Sequence, residues 1–170
     1  LKIHKIMKLL KSFGILMLAV MPAILSSCSD KNDLPDVEVT VNFKDAVKKD
    51  NVIYVVQGEP VVVESITIKP ISGGAAAIGP TAYYLDEFWI GTTDVIPFGA
   101  EIETANLELG NHVLCIRPTV LQEGKSLGYT LMYYNIKVVK SKEDLPAEAT
   151  NVSDVNNLSI VNEAPASLQK

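Results

Sequence analysis

Cysteine is scarce in this chain, with Cys28 and Cys115 the only two among 170 residues. No disulfide framework is available, so a hydrophobic core must hold the fold by itself. Histidine is equally scarce. Beyond the N-terminal segment only His112 remains, so a Ser-His-Asp arrangement would have to draw on that one ring. Metal-ligand spacing is missing too: His112 and Cys115 share one short strand-like stretch, where positions i and i+3 point to opposite faces. Basic residues number 15 against 20 acidic ones, a formal net charge of −5. That balance repels nucleic acid and anionic headgroups, and nucleic-acid binding is set aside. "ISGGAAAIGP" (71–80) has glycines but lacks the lysine and helix start of a phosphate loop, and is expected as a connection between strands. No segment of useful length has a helical period. The apolar run from Phe13 to Leu25 is shorter than the roughly 20 residues a membrane-spanning helix needs.

What is present begins with that run. Lys8 and Lys11, the apolar core and the small residues after it have the three parts of a secretory signal, so residues 1–27 are expected to be removed. Losing four lysines with them takes the formal net charge from −5 to −9. Leu25, Ser26 and Ser27 lead directly into Cys28, an order that resembles a bacterial lipobox. The resemblance implies lipidation of Cys28 and attachment to a membrane by acyl chains, each buried methylene adding roughly 0.8 kcal/mol. With Ser29 in place of aspartate the resemblance implies the outer membrane, and the run Asp30, Lys31, Asn32, Asp33 resembles the acidic signal of surface-exported lipoproteins. Residues 28–36 are charged and without hydrophobic period, as expected of a tether. Asp30, Asp33 and Asp36 lack the spacing of a calcium loop.

From residue 37 to residue 140 strand signals dominate. "VEVTVNF" (37–43) alternates apolar and polar side chains, and β-branched runs follow at 51–56 and 61–70. "TAYYLD", "FWIGTT", "AEIET", "HVLCIRPTV" and "LGYTLMYYNIKVVK" continue the series, with Asp86 and Glu87 as a tight hairpin. Strands at this spacing predict an all-β, antiparallel sandwich. Residues 141–170 lose aromatics, gain Asn, Ser, Ala and acidic residues, and are expected as an unstructured C-terminal tail.

Tyr84, Leu85, Asp86, Ile90, Gly91, Thr92, Pro97, Phe98, Leu107, Gly110 and His112 stand in an order that resembles bacterial immunoglobulin-like domains of cell-surface proteins. The resemblance covers about a third of the chain and implies an immunoglobulin-like β-sandwich. In it Leu107, Gly110 and His112 form the corner before the sixth strand, and Leu114 takes the place of a core cysteine. It also implies a non-catalytic adhesion or interaction module needing no cofactor and no metal. The alternative is a glycan-binding accessory protein of a polysaccharide-uptake system. The partner outside the cell is then a protein or a glycan.

Strand period locates a candidate contact surface. If His112, Leu114 and Ile116 point inward, then Val113, Cys115 and Arg117 point out. The same period turns Tyr84, Trp89, Tyr129, Leu131 and Tyr133 outward, with Tyr83, Leu85, Phe88, Ile90, Met132, Tyr134, Ile136 and Val138 inward. An outward face gathering Tyr84, Trp89, Cys115, Tyr129, Leu131 and Tyr133 is too apolar for a merely solvated sheet and is expected to bind.

Overall fold

A computed structural model describes residues 34–147 and the backbone of 150–154. The expected signal segment 1–27, Cys28 and most of the expected tether 28–36 lie outside the described residues. The described strands are β1 (Val37–Lys49), β2 (Val52–Val56), β3 (Val61–Pro70), β4 (Ala76–Leu85), β5 (Phe88–Thr93), β6 (Ala100–Ile102), β7 (Gly110–Gln122), β8 (Gly128–Tyr129), β9 (Met132–Val139) and β10 (Thr150–Asp154). They order as β5-β4-β7-β9-β2 on one side and β1-β3-β6 on the other, with β1 passing between the two. Its first half pairs antiparallel with β3 and its second half with β2, the change following a kink at Asp45, whose φ is 51°. Asp50 and Asn51 then reverse the chain with φ of 51° and 61°, the left-handed pair of a type I′ hairpin. β2 runs parallel to β9, and among the described residues the other strand pairs are antiparallel. A first strand shared between sheets, with crossings from β3 to β4 and from β6 to β7, makes this an immunoglobulin-like antiparallel β-sandwich.

Alternation explains the core. In β1, Val37, Val39, Val41 and Phe43 are buried while Glu38, Thr40 and Asn42 are only partly so. Leu114, Ile116 and Val120 of β7 are fully buried, as are Met132, Ile136 and Val138 of β9 to within 2%. Phe43 meets Tyr134 edge-on, ring centroids 4.9 Å apart, in the geometry aromatic pairs favour. The connection between β5 and β6 adds Phe98, whose carbonyl accepts a hydrogen bond from the buried Tyr83 hydroxyl. Gly99 lets this connection lie against β3. A Cβ there would stand 2.8 Å from the Val63 carbonyl oxygen and 3.0 Å from that of Glu64.

Two expectations need correcting. β4 begins at Ala76, inside the stretch expected as a loop, because Ala76, Ala77 and Ile78 pair with Gln122, Leu121 and Val120 before a bulge ahead of Thr81. The segment after 140 is not wholly without structure either. A 3-10 turn occupies Lys142–Asp144, and β10 adds itself antiparallel to β1, with Lys48 opposite Thr150. Backbone pairing needs no particular side chain, which is why a polar segment joins the sheet without announcing it. Residues 155–170 lie outside the described residues.

The N-terminal end of β1 is pinned by one amide. Gln122 is buried, accepts the Asp36 N–H at 2.8 Å through Oε1, and donates from Nε2 to the carbonyls of Ser72 and Gly74. Asp36 also accepts hydrogen bonds from the Ser72 hydroxyl and the Ile71 N–H. Asp36 is therefore fixed beside the C-terminal end of β7.

Candidate functional site

Cross-strand register builds the face. Trp89 on β5 stands opposite Tyr84 on β4, Tyr84 opposite Cys115 on β7, and Cys115 opposite Tyr133 on β9. Residues directly opposite share a face, so these four form one row across four strands, about 14 Å long at the usual strand spacing. Trp89 is 63% exposed and Tyr133 58%. Val113 and Leu131, on the same face, are also exposed apolar side chains.

The inward half of the pattern holds for β4, β7 and β9 and fails for β5. Phe88 is 78% exposed and Ile90 44%, although both were expected inside. β5 is the last strand of its sheet, and the opposite sheet ends at the short β6, leaving Phe88 uncovered on its inner side. Ile90 is the extra residue of a bulge, since Tyr83 pairs with Gly91 and Tyr84 with Trp89.

Beside the row lies an open hollow of about 550 Å³. Tyr84, Val113, Cys115, Arg117, Leu131 and Tyr133 line it, with Asp86 and Glu87 from the β4–β5 hairpin. The structure does not place Trp89 or Tyr129 in the hollow's lining. Trp89 extends the row to the sheet edge, its indole N–H donating to Thr92 Oγ1 at 3.1 Å. Tyr129 lies against Arg117, whose guanidinium carbon is 5.3 Å from the Tyr84 ring centre and 5.5 Å from that of Tyr129. A guanidinium between two π faces is held in place without losing its charge.

Two polar groups frame this face. His112 is hydrogen-bonded through Nδ1 to Asp86 Oδ2 at 2.6 Å and through Nε2 to the Glu108 carbonyl at 2.8 Å. Both partners are acceptors, so the ring satisfies both only as the doubly protonated imidazolium. Its hydrogen bond to Asp86 and then that to Glu108 hold the His112 pKa above its ordinary value, against the opposing effect of burial. Burial raises the Asp86 pKa, but the His112 hydrogen bond, the Val113 N–H and the His112 charge outweigh it and leave the group lowered. Asp86 also accepts the Val113 N–H at 2.8 Å through Oδ1, so the hairpin is tied to β7 by side chain and backbone together. Gly110, with φ of 130°, turns the chain into β7, and Leu107 packs against the core beside it. The corner residues thus serve the shape of the hairpin that borders the hollow.

The Cys115 thiol is pushed up chiefly by burial, opposed by a hydrogen bond to Tyr133 and the charge of Arg117. It is a neutral thiol at neutral pH, and a poor nucleophile. Among the described residues no three His, Cys, Asp or Glu side chains converge as a metal ion would require. What the arrangement offers is contact: aromatic surface, one fixed cation and a carboxylate rim. The Asp86–His112 tie and the role of Arg117 are not readable from sequence spacing, because both depend on pairings more than ten residues apart.

No protein-family pattern matches the chain, and no curated protein matches it. Among solved structures it is similar to a fibronectin(III)-like module of Clostridium thermocellum CbhA. Sequence identity is 17%, the TM-score is 0.38, and the alignment spans 60% of this chain and 99% of that one. The fold assignment rests on the strand order and not on this likeness.

Proposed function

We propose that this chain is a non-catalytic surface lipoprotein, held to the outer membrane through Cys28, whose immunoglobulin-like sandwich binds a partner outside the cell through the β5-β4-β7-β9 face. The observation that carries the reading is the register row Trp89, Tyr84, Cys115 and Tyr133, two of whose aromatics are more than half exposed. Contiguous apolar surface of this kind marks contact sites, and Trp and Tyr are the side chains that most often dominate binding energy. Position supports it too. The tether meets the domain at Gln122, and Cys115 lies seven residues back along β7, about 23 Å away at the rise of a strand. The row therefore stands clear of the point at which residue 36 joins the sheet.

The test is a glycan and host-protein array probed with the purified full chain, beside Trp89→Ala combined with Tyr133→Ala. Binding lost in the double variant, with a thermal midpoint close to the parent's, supports the assignment. Unchanged binding by a folded double variant moves the working surface elsewhere.

A further inference from the structure

Arg117 is the only arginine in a chain of 15 basic residues, the rest being lysines. It is exposed, lies over the rings of Tyr84 and Tyr129, and among the described residues no carboxylate pairs with it. Arginine so placed keeps its full charge and presents a planar fork matched to a carboxylate. The hollow beside it, about 550 Å³, falls within the range that small ligands occupy.

We propose that this hollow binds a carboxylated sugar, a uronic or sialic acid unit of an extracellular glycan, with its carboxylate on Arg117. The inference rests on the same face being the contact surface. Tyr84 and Tyr133 flank Cys115 in register, so two aromatic side chains stand about 10 Å apart on either side of the β7 strand. That gap admits one sugar ring, whose C–H faces suit aromatic surface and whose hydroxyls suit the tyrosine and Glu87 oxygens. Asp86 does not oppose an incoming anion at full strength, because His112 faces it at 2.6 Å. An acidic polypeptide is the poorer fit: many carboxylates would approach a chain of net charge −5, whereas a glycan can bring one.

The experiment uses the purified full chain in detergent against oligosaccharides ending in glucuronate, galacturonate or sialic acid. Each is paired with its carboxyl-reduced neutral counterpart, and a glutamate-rich peptide is included. We expect at least one carboxylated sugar to bind, its neutral counterpart to bind about tenfold or more weakly, and Arg117→Met to lose about as much, as for a charged hydrogen bond. Arg117→Lys should fall between parent and Arg117→Met, since it keeps the charge and loses the fork. No binding by any carboxylated sugar, equal binding of the neutral counterparts, or binding of the peptide alone overturns the proposal. A ligand lost with Trp89→Ala and Tyr133→Ala but kept with Arg117→Met overturns it while leaving the contact face standing. A ligand kept by all these variants removes both. The counterpart comparison needs no variant, so a misfolded Arg117→Met would not leave the question open.

Discussion

Replacing His112 with alanine removes two hydrogen bonds at once, and their worth can be sized from exposure. The His112 side chain is 11% exposed and that of Asp86 42%, so their ion pair is partly screened and contributes about 0.5–1 kcal/mol. The bond to the Glu108 carbonyl adds about 1 kcal/mol, because the acceptor is left without its partner. His112→Ala is therefore expected to cost about 1.5–2 kcal/mol, or roughly 6–8 °C in thermal midpoint for a domain of this size. Dependence on pH separates this account from a simple packing loss. His112 is held above its ordinary value, so its stabilisation is complete below about pH 6.5 and fades as pH rises through the higher folded value. Asp86 is held below its ordinary value, so its contribution is complete above about pH 4 and fades as pH falls through the lower folded value. The pair is strongest between those limits. Urea unfolding from pH 3 to pH 9 should show a maximum there for the parent that flattens in His112→Ala and in Asp86→Asn. Parent stability that climbs steadily from pH 6 to pH 8, or an alanine variant as stable as the parent, would refute the imidazolium assignment.

Thr130→Val should raise stability by about 1 kcal/mol, because the Thr130 hydroxyl is buried with no hydrogen-bond partner among the described residues; chemical denaturation that shows a loss would reveal a partner. Gly99→Ala should cost about 1–3 kcal/mol, as a Cβ 2.8 Å from the Val63 carbonyl forces the Phe98 connection off β3; a thermal midpoint unchanged from the parent would mean that connection is free to move. Cys28→Ala should shift the protein from the membrane fraction to the soluble one, and a variant still found with the membrane would end the lipid-anchor proposal.

The phase of the sandwich was legible in sequence wherever a strand has a partner across the core. Leu114 and Ile116, Tyr83 and Leu85, and the alternate residues of β9 obey period two because burying one face of each strand leaves no other choice. Phe88 failed for a different reason. Its position opposite Leu85 puts it on the inner side, but among the described residues nothing covers it there, and coverage is a property of the other sheet. Ile90 failed because a bulge is a local insertion with no compositional sign. At the face, the hydrophobic outward residues were visible as violations of alternation. Arg117 was legible as an outward residue but its setting was not, since that depends on Tyr129, brought near by the pairing of Thr119 with Tyr129. The Asp86–His112 bond likewise joins residues 26 apart, which become neighbours only once β4 and β7 pair.

The central claim is that one face of one sheet makes the contact. Backbone hydrogen–deuterium exchange of the full chain, with and without the strongest-binding member of the glycan and host-protein array, tests it most directly. Exchange should slow in the β4–β5 hairpin, in β7 near Cys115 and at the start of β9 near Tyr133, with β3 and β6 unchanged. Protection confined to β1, β3 and β6, with the row from Trp89 to Tyr133 unaffected, would contradict it.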